Sequence, residues 1–190
     1  PVTFCENYVP WLDKLKPLVD EIDFISIHTY PVWEYKSIQE GLSYTIDNYN
    51  AVAQAYPDVQ IVITEAGWAT ASNGHGIDVD KVNEVYQKQY FQQLMDWAEQ
   101  EQVLVYYFEA FDENWKGSCD PFEPEKHWGL YKADRTPKLA MNNNTTGASI
   151  YDLGQIIQSD SVAELSHVLK ESQDKQEQQK QQEMQQNREP

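Results

Sequence analysis

Residues 61–70 read IVITEAGWAT, and this stretch decides the fold because four apolar or β-branched residues run directly into a glutamate. Near-continuous runs of this kind are typical of strands buried on both faces of a parallel sheet. Glu65 follows at once, and a carboxylate in that position is costly to desolvate unless it has a partner or a function. The stretch therefore predicts a buried strand with a chemically significant glutamate at its end.

Three further β-prone runs lie on either side of this stretch, at residues 2–5, 23–28 and 103–108. Between the runs, apolar residues recur at steps of three and four, which predicts three helices. Their stripes include Trp11 to Val19, Leu42 to Tyr56 and Val82 to Ala98. The order β-α-β-α-β-α-β predicts an α/β fold with a parallel sheet and helices outside it. In such folds the functional site forms at the carboxyl ends of the strands.

Carboxylates and aromatic residues gather at these predicted strand ends. Glu6, Glu65 and Glu109 each follow a strand, and the second strand is followed by Tyr30 and Trp33. Aromatic rings stack on the apolar faces of sugar rings, and paired carboxylates hydrolyse glycosidic bonds. Structural alternatives stay open: Glu6 can cap the following helix, His28 can be a hydrogen-bonded rim residue, and the tryptophans can be packing residues.

Composition excludes several classes of function for the stretch of 190 residues that begins at Pro1. With 31 acidic residues against 14 basic ones, the chain would repel nucleic acids and anionic membranes. No apolar run approaches the ~20 residues of a membrane-spanning helix. Cys5 and Cys119 make no disulfide framework or zinc site, although one bridge between them stays open. The histidines share no ligand spacing, so no metal or cofactor is predicted.

The composition changes near residue 140, since every tryptophan precedes it. Residues 1–140 are predicted to form one folded region, distinct from the rest of the chain. Residues 141–172 contain the polar cluster NNNTT and a short amphipathic pattern, which predict a linker and a helix. Residues 173–190 hold eight glutamines among eighteen residues, which predicts a disordered tail.

Five motifs in order along the chain carry a family resemblance. They are DFISIHTYPVW (23–33), IVITEAGWAT (61–70), VYYFEAFDENWKG (105–117), EKHWGLY (125–131) and DRTPK (134–138). Together they resemble the second half of glycoside hydrolase family 17, the β-1,3-glucanases and related glucanosyltransferases. The resemblance runs from about residue 1 to residue 140.

The resemblance implies a (β/α)8 TIM barrel that hydrolyses β-1,3-glucan with retention of configuration. By the match to ITEAGW, Glu65 would be the nucleophile. Two sets of residues would contact substrate. Those implied to bond sugar hydroxyls or lie in the cleft are Glu6, His28, Glu109, Glu113, Lys116 and Glu125. Those implied to line the glucan cleft with aromatic rings are Tyr30, Trp33, Trp68 and Trp128. The expected partner is a β-glucan, and the family implies a secreted, periplasmic or cell-envelope location.

One expected family feature is absent from the sequence. The family's acid/base glutamate follows an asparagine at the end of the fourth strand, but the only Asn-Glu pair here, Asn83-Glu84, falls within the third predicted helix. We therefore expect strands five to eight of a barrel, with the N-terminal half and the acid/base outside this chain, and little activity from the chain alone. A glucanosyltransferase and a non-catalytic carbohydrate-binding or interaction protein remain the alternatives.

Overall fold

Four parallel strands form a single sheet in which neighbours along the chain are also neighbours in space. The computed structural model describes residues 1–142. The strands are β1 (Cys5–Asn7), β2 (Ile25–Thr29), β3 (Ile61–Ala66) and β4 (Val105–Tyr107). This order confirms the predicted α/β class with a parallel sheet. The linker, helix and glutamine-rich tail expected further along lie outside the described residues.

Two long helices connect the later strands. They are α2 (Ile38–Ala55) and α3 (Glu84–Glu101), which follow a short first helix, α1 (Tyr8–Trp11). The Glu40 carboxylate accepts a hydrogen bond from the Ser37 backbone N–H at the start of α2. At the start of α3, the Asn83 side chain accepts one from the Tyr86 backbone N–H. Asn83 therefore caps α3 and only Glu84 lies within it, which corrects the predicted boundary.

The first helix differs from its prediction. The stripe from Trp11 to Val19 predicted one continuous helix, but α1 ends at Trp11, and a 3₁₀ helix spans Lys16–Glu21 after a turn. Proline explains the difference, since Pro17 lies within the predicted helix and has no N–H for an intrahelical hydrogen bond. The apolar residues do recur at helical spacing, but Pro17 prevents a continuous helix at these positions.

The strand boundaries differ from the apolar runs, and β4 is shorter than its predicted run 103–108. The first prediction ended at Cys5, whereas β1 begins there, so Glu6 lies inside a strand and not after one. Glu65 likewise lies within β3. The pairing of β2 with β3 joins Ile27 to Ile63 and then His28 to Glu65, so Thr64 is an extra residue in β3. The pairing of β3 with β4 contains a matching irregularity between Ile63 and Ala66.

The core lies between the sheet and the helices. Ile25, Ile27 and Ile63 of the sheet are fully buried, as are Val52 of α2 and Leu94 of α3. The helix α3 buries Tyr90, Leu94 and Ala98 of its predicted stripe. In α2 only Val52 of the stripe is buried, and the remaining buried positions are Ile38, Gly41, Thr45 and Asn48. None of the helices between residues 1 and 142 combines the length and the apolar character that crossing a membrane requires.

Candidate active site at the carboxyl ends of the strands

Glu65 is held by two side chains from β2 and the residue after it. The Tyr30 hydroxyl donates a hydrogen bond to Glu65 Oε2 at 2.6 Å, and His28 Nδ1 lies 3.3 Å from the same oxygen. The extra residue in β3 brings this about, because it pairs Glu65 with His28 where a regular register would pair Thr64. Bulges commonly re-aim side chains in this way next to active sites. About a third of the Glu65 side chain (34%) stays exposed, so it can reach a ligand.

Tyr30 is held as a hydrogen-bond donor. Burial raises the pKa of Tyr30 well above its ordinary value, and the hydrogen bond to Glu65 raises it further. Its ring meets Trp128 at 5.1 Å and Phe108 at 5.8 Å between centroids, both edge to face. Aromatic pairs favour this geometry. Tyr30 therefore does more than line a cleft, since it orients the Glu65 carboxylate.

A second charged cluster follows β4. Lys116 Nζ lies 3.1 Å from Glu109 Oε2 and 2.7 Å from Glu113 Oε2. The ammonium also lies 4.5 Å from the centre of the Phe108 ring, which also contacts Tyr30. The predicted residues Glu109, Glu113 and Lys116 thus come together, and Phe108 connects them to the Glu65 cluster.

Burial and charge act in opposite directions on the carboxyl groups of this cluster. Burial raises the pKa of Glu109 to about 7, even though Lys116 pulls it down. Glu125, in the 3₁₀ turn Pro124–Lys126, also has a raised pKa because of burial, which Lys116 partly offsets. Glu109 can therefore be protonated near neutral pH and donate a hydrogen bond as an acid.

The predicted aromatic residues divide between the site and the core. Trp128 and Trp33 lie together, with ring centroids 6.2 Å apart; Trp33 is half-buried, whereas Trp128 is fully buried and packs on Tyr30. Trp68 lies elsewhere: its side chain is fully buried, its indole N–H donates to the Lys81 carbonyl, and its ring packs on Tyr90. The prediction that Trp68 lines the cleft is therefore wrong, because this residue is part of the core.

Glu6 is not drawn into the Glu65 cluster. It pairs with Ile27, whereas the next residue, Asn7, pairs with His28. Successive residues of a strand point to opposite faces, so Glu6 and Asn7 face opposite ways. The Glu6 carboxylate accepts a hydrogen bond from the Asn7 backbone N–H. The structure therefore favours a local structural role for Glu6 over the predicted role in the cleft.

Several polar residues that hold the site together were not assigned from sequence. Asp112 and Lys138 form a buried ion pair, with 2.7 Å between Lys138 Nζ and Asp112 Oδ1. Gln87 of α3 is fully buried, and its amide nitrogen donates to the carbonyls of Trp68, Trp128 and Gly129. The motif DRTPK, which contains Lys138, was the one available signal. Between residues 1 and 142, no three His, Cys, Asp or Glu side chains are grouped as ligands for a metal ion.

Comparison with known families places residues 1–129 within the family model described as the BtgE/BtgC glycoside hydrolase domain. A glucan 1,3-beta-glucosidase of Candida albicans is 29% identical over 138 residues, which cover 67% of this chain and 43% of that protein. A second glucan 1,3-beta-glucosidase, from Arthroderma benhamiae, is 28% identical over 132 residues, or 62% of this chain and 42% of the relative. The chain thus spans less than half the length of these relatives.

Solved structures share the fold. An endo-laminarinase from Formosa superposes with a TM-score of 0.68 at 23% identity, over 73% of this chain and 45% of that one. A β-1,3-glucanosyltransferase of glycoside hydrolase family 17 from Rhizomucor miehei superposes with a TM-score of 0.64 at 24% identity, over 74% of this chain and 49% of that one.

Proposed function

The chain belongs to the BtgE/BtgC glycoside hydrolase domain family, and from this premise we propose that Glu65 is the nucleophile in a retaining hydrolysis of β-1,3-glucan. The observation that carries the proposal is the attachment of Glu65 to both Tyr30 and His28 at the carboxyl end of β3. The substrate class is taken from the relatives, which are glucan 1,3-beta-glucosidases.

The two carboxylate oxygens of Glu65 have different roles in the proposed reaction. Among the described residues, Tyr30 and His28 both contact Oε2, which leaves Oε1 to attack the anomeric carbon. Attack forms a bond between C1 and Oε1 while the glycosidic C–O bond breaks. The departing oxygen takes a proton from a second carboxyl group, which a retaining enzyme places about 5–5.5 Å from the nucleophile. Water then attacks C1, releases Glu65 and returns a proton to that second group.

The proton donor is assigned to none of the residues 1–142. Glu109 has the raised pKa that an acid needs, but both of its oxygens lie within 3.3 Å of Lys116 Nζ. We propose instead that Glu109, Glu113, Lys116 and Glu125 bond sugar hydroxyls. Tyr30 and Trp33 would form the apolar side of the site, and the buried Trp128 would support them by packing against both rings. The four strands would correspond to strands five to eight of a (β/α)8 barrel, in line with the parallel order and the coverage of the solved relatives.

A mechanism-based label tests the nucleophile without requiring the proton donor. A 2-deoxy-2-fluoro-β-laminaribioside that carries a dinitrophenolate leaving group needs no proton at departure, so residues 1–190 can be assayed as they are. We expect the reagent to add one fluorinated laminaribiosyl group to the protein, and peptide mapping by mass spectrometry should locate it on Glu65.

Two variants complete the test. Glu65→Gln should abolish labelling while the circular dichroism spectrum stays native. Glu99→Gln, which changes an exposed glutamate of α3, should label like the wild type. Labelling of a different carboxylate, or no labelling of a folded wild-type protein, would refute Glu65 as the nucleophile. Hydrolysis and glucanosyl transfer share this intermediate, and products longer than the substrate would indicate transfer.

A further inference from the structure

We propose that Lys138 is a positioning residue for this site, holding in register the three segments that carry its side chains. The inference rests on the proposed function, since it concerns the residues assigned there to substrate. Lys138 belongs to the DRTPK motif, and the proposed reaction at Glu65 gives that motif no role.

Lys138 makes its contacts from a buried position. Only 2% of its side chain is exposed. Its ammonium group donates to Asp112 Oδ1 at 2.7 Å, to Thr70 Oγ1 at 2.8 Å and to the His127 carbonyl at 3.3 Å. An ammonium group has three donors, so this set uses all of them.

Each of the three partners belongs to a segment that contains a proposed site residue. Thr70 follows β3 in the same run as Glu65. Asp112 lies between Glu109 and Lys116, and His127 directly precedes Trp128. Movement of any one partner would therefore move side chains that must act together on one sugar.

The segments also bond to one another around the ammonium group. The Thr70 backbone N–H and hydroxyl both donate to the His127 carbonyl, at 3.0 and 3.1 Å. Asp112 Oδ1 accepts the Gly129 backbone N–H at 3.0 Å. Lys138 thus completes a network that joins the ends of β3 and β4 to the loop that carries Trp128.

The network borders an open space at the surface. A surface cavity of about 460 Å³ is lined by Thr70, Asp112, His127 and Lys138, among others. The segments have room to shift into this cavity once the bonds are lost. A purely stabilising role accounts poorly for the pair, because buried ion pairs can often be replaced by neutral groups at no cost in stability.

A paired substitution separates positioning from stability. Lys138→Met should lower the melting temperature, since it leaves the Asp112 carboxylate buried without its partner. Adding Asp112→Asn removes that charge and retains an oxygen for the Gly129 N–H. Most of the loss in melting temperature should therefore be recovered. The donors to Thr70 and His127 remain absent from the double variant. We expect it to label Glu65 about 10- to 100-fold more slowly than the wild type at saturating reagent, because a misplacement of ~1 Å can cost ~10²-fold.

The matched control is the ion pair of the half-buried Lys81 and the exposed Asp78, whose charged atoms are 3.2 Å apart. The corresponding Lys81→Met/Asp78→Asn variant should label within about twofold of the wild type. If the Lys138/Asp112 double variant does not fold, Thr70→Val replaces it. This change removes the hydroxyl that accepts from Lys138 and donates to the His127 carbonyl, and it preserves side-chain shape. Thr70→Val should slow labelling by about 3- to 10-fold.

A folded double variant, or Thr70→Val in its place, that labels at the wild-type rate would overturn the inference. If the wild-type protein is not labelled, the proposed role of Glu65 fails, but the proposed role of Lys138 can still be tested. Near-ultraviolet circular dichroism then provides that test. The signal of the Tyr30, Trp33, Phe108 and Trp128 cluster should then change in the double variant and stay unchanged in the control. An unchanged signal in both would overturn it.

Discussion

Single residues in this site have environments that their own sequence positions do not reveal. Tyr30 was expected to line a cleft, but its hydroxyl is committed to Glu65 at 2.6 Å. Glu109 was expected to bond sugar, and its carboxylate is engaged by Lys116. The residue types were predictable, because glutamates follow apolar runs at the ends of buried strands. Their partners were not, because each comes from another strand or a later loop.

The pKa of Glu109 leads to a prediction about pH. Burial raises this pKa from 4.5 to about 7, so between those values the folded protein binds more protons than the unfolded chain. The contribution of Glu109 to the free energy of unfolding therefore falls as the pH rises through this window. Glu109→Gln should lose less stability between pH 5 and pH 8 than the wild type does, as measured by urea unfolding at both values.

Glu99→Gln supplies the control for this measurement, since Glu99 is exposed on α3 and should leave the pH dependence unchanged. A carbon-13 NMR titration of the Glu109 carboxyl group gives an independent reading, with a midpoint expected near pH 7. Identical pH dependence in the wild type and Glu109→Gln would contradict the prediction.

At the scale of elements, the sequence predicted which strands and helices exist better than it predicted their details. The run IVIT located β3, but nothing in it showed that Thr64 would be an extra residue relative to both neighbouring strands. Such an irregularity depends on pairing with β2 and β4, which are distant in the chain. The error in the first helix was avoidable, because Pro17 was visible in the sequence.

The close approach of β3 and β4 depends on the absence of a side chain at Gly67. A Cβ atom there would collide with the Phe108 carbonyl oxygen, which is backbone and cannot move aside by rotating. Gly67→Ala should therefore destabilise the protein by at least about 3 kcal/mol, the upper range for overpacking. Thermal unfolding monitored by circular dichroism would measure this.

Gly74→Ala is the comparison for that substitution. Gly74 has a positive φ of +86°, but the nearest side-chain atom to a new Cβ would be 3.7 Å away. Backbone strain alone should cost about 1–2 kcal/mol there. An equal loss from the two substitutions would show that the contact with Phe108 is not what requires Gly67.

At the scale of the whole molecule, the match to the BtgE/BtgC glycoside hydrolase domain supports the glycoside hydrolase family predicted from the motifs, and the sheet confirms the parallel α/β class. The assignment to the second half of a barrel stays a prediction. The division of the remaining chain stays a prediction. Within residues 1–142 the sheet has two outer strands, since β1 pairs only with β2 and β4 only with β3. Open edges of this kind invite association with other strands.

This openness predicts self-association of residues 1–190. Leu104 and Tyr106 at the β4 edge are 48% and 57% exposed, so as far as residues 1–142 are concerned this edge is both unpaired and apolar. Sedimentation velocity should show a weight-average sedimentation coefficient that rises with protein concentration. Tyr106→Lys should weaken this rise, because a charged side chain opposes edge pairing.

The control removes an equally exposed apolar residue away from the sheet. Val79 is 61% exposed and lies in the 3₁₀ helix Val79–Lys81, so Val79→Lys should leave association unchanged. A monomer at every concentration, or an equal effect of the two lysine substitutions, would argue against pairing through β4.

The contacts of Lys138 also determine where the C-terminal boundary of an expressed domain should be placed. The match to the family model covers residues 1–129, and a gene trimmed to that match would still encode Glu65 and every residue proposed to touch sugar. It would also delete the ammonium group that joins Thr70, Asp112 and His127. A boundary drawn by similarity therefore falls inside the physical unit, and expression or grafting of this domain should keep the chain through residue 138.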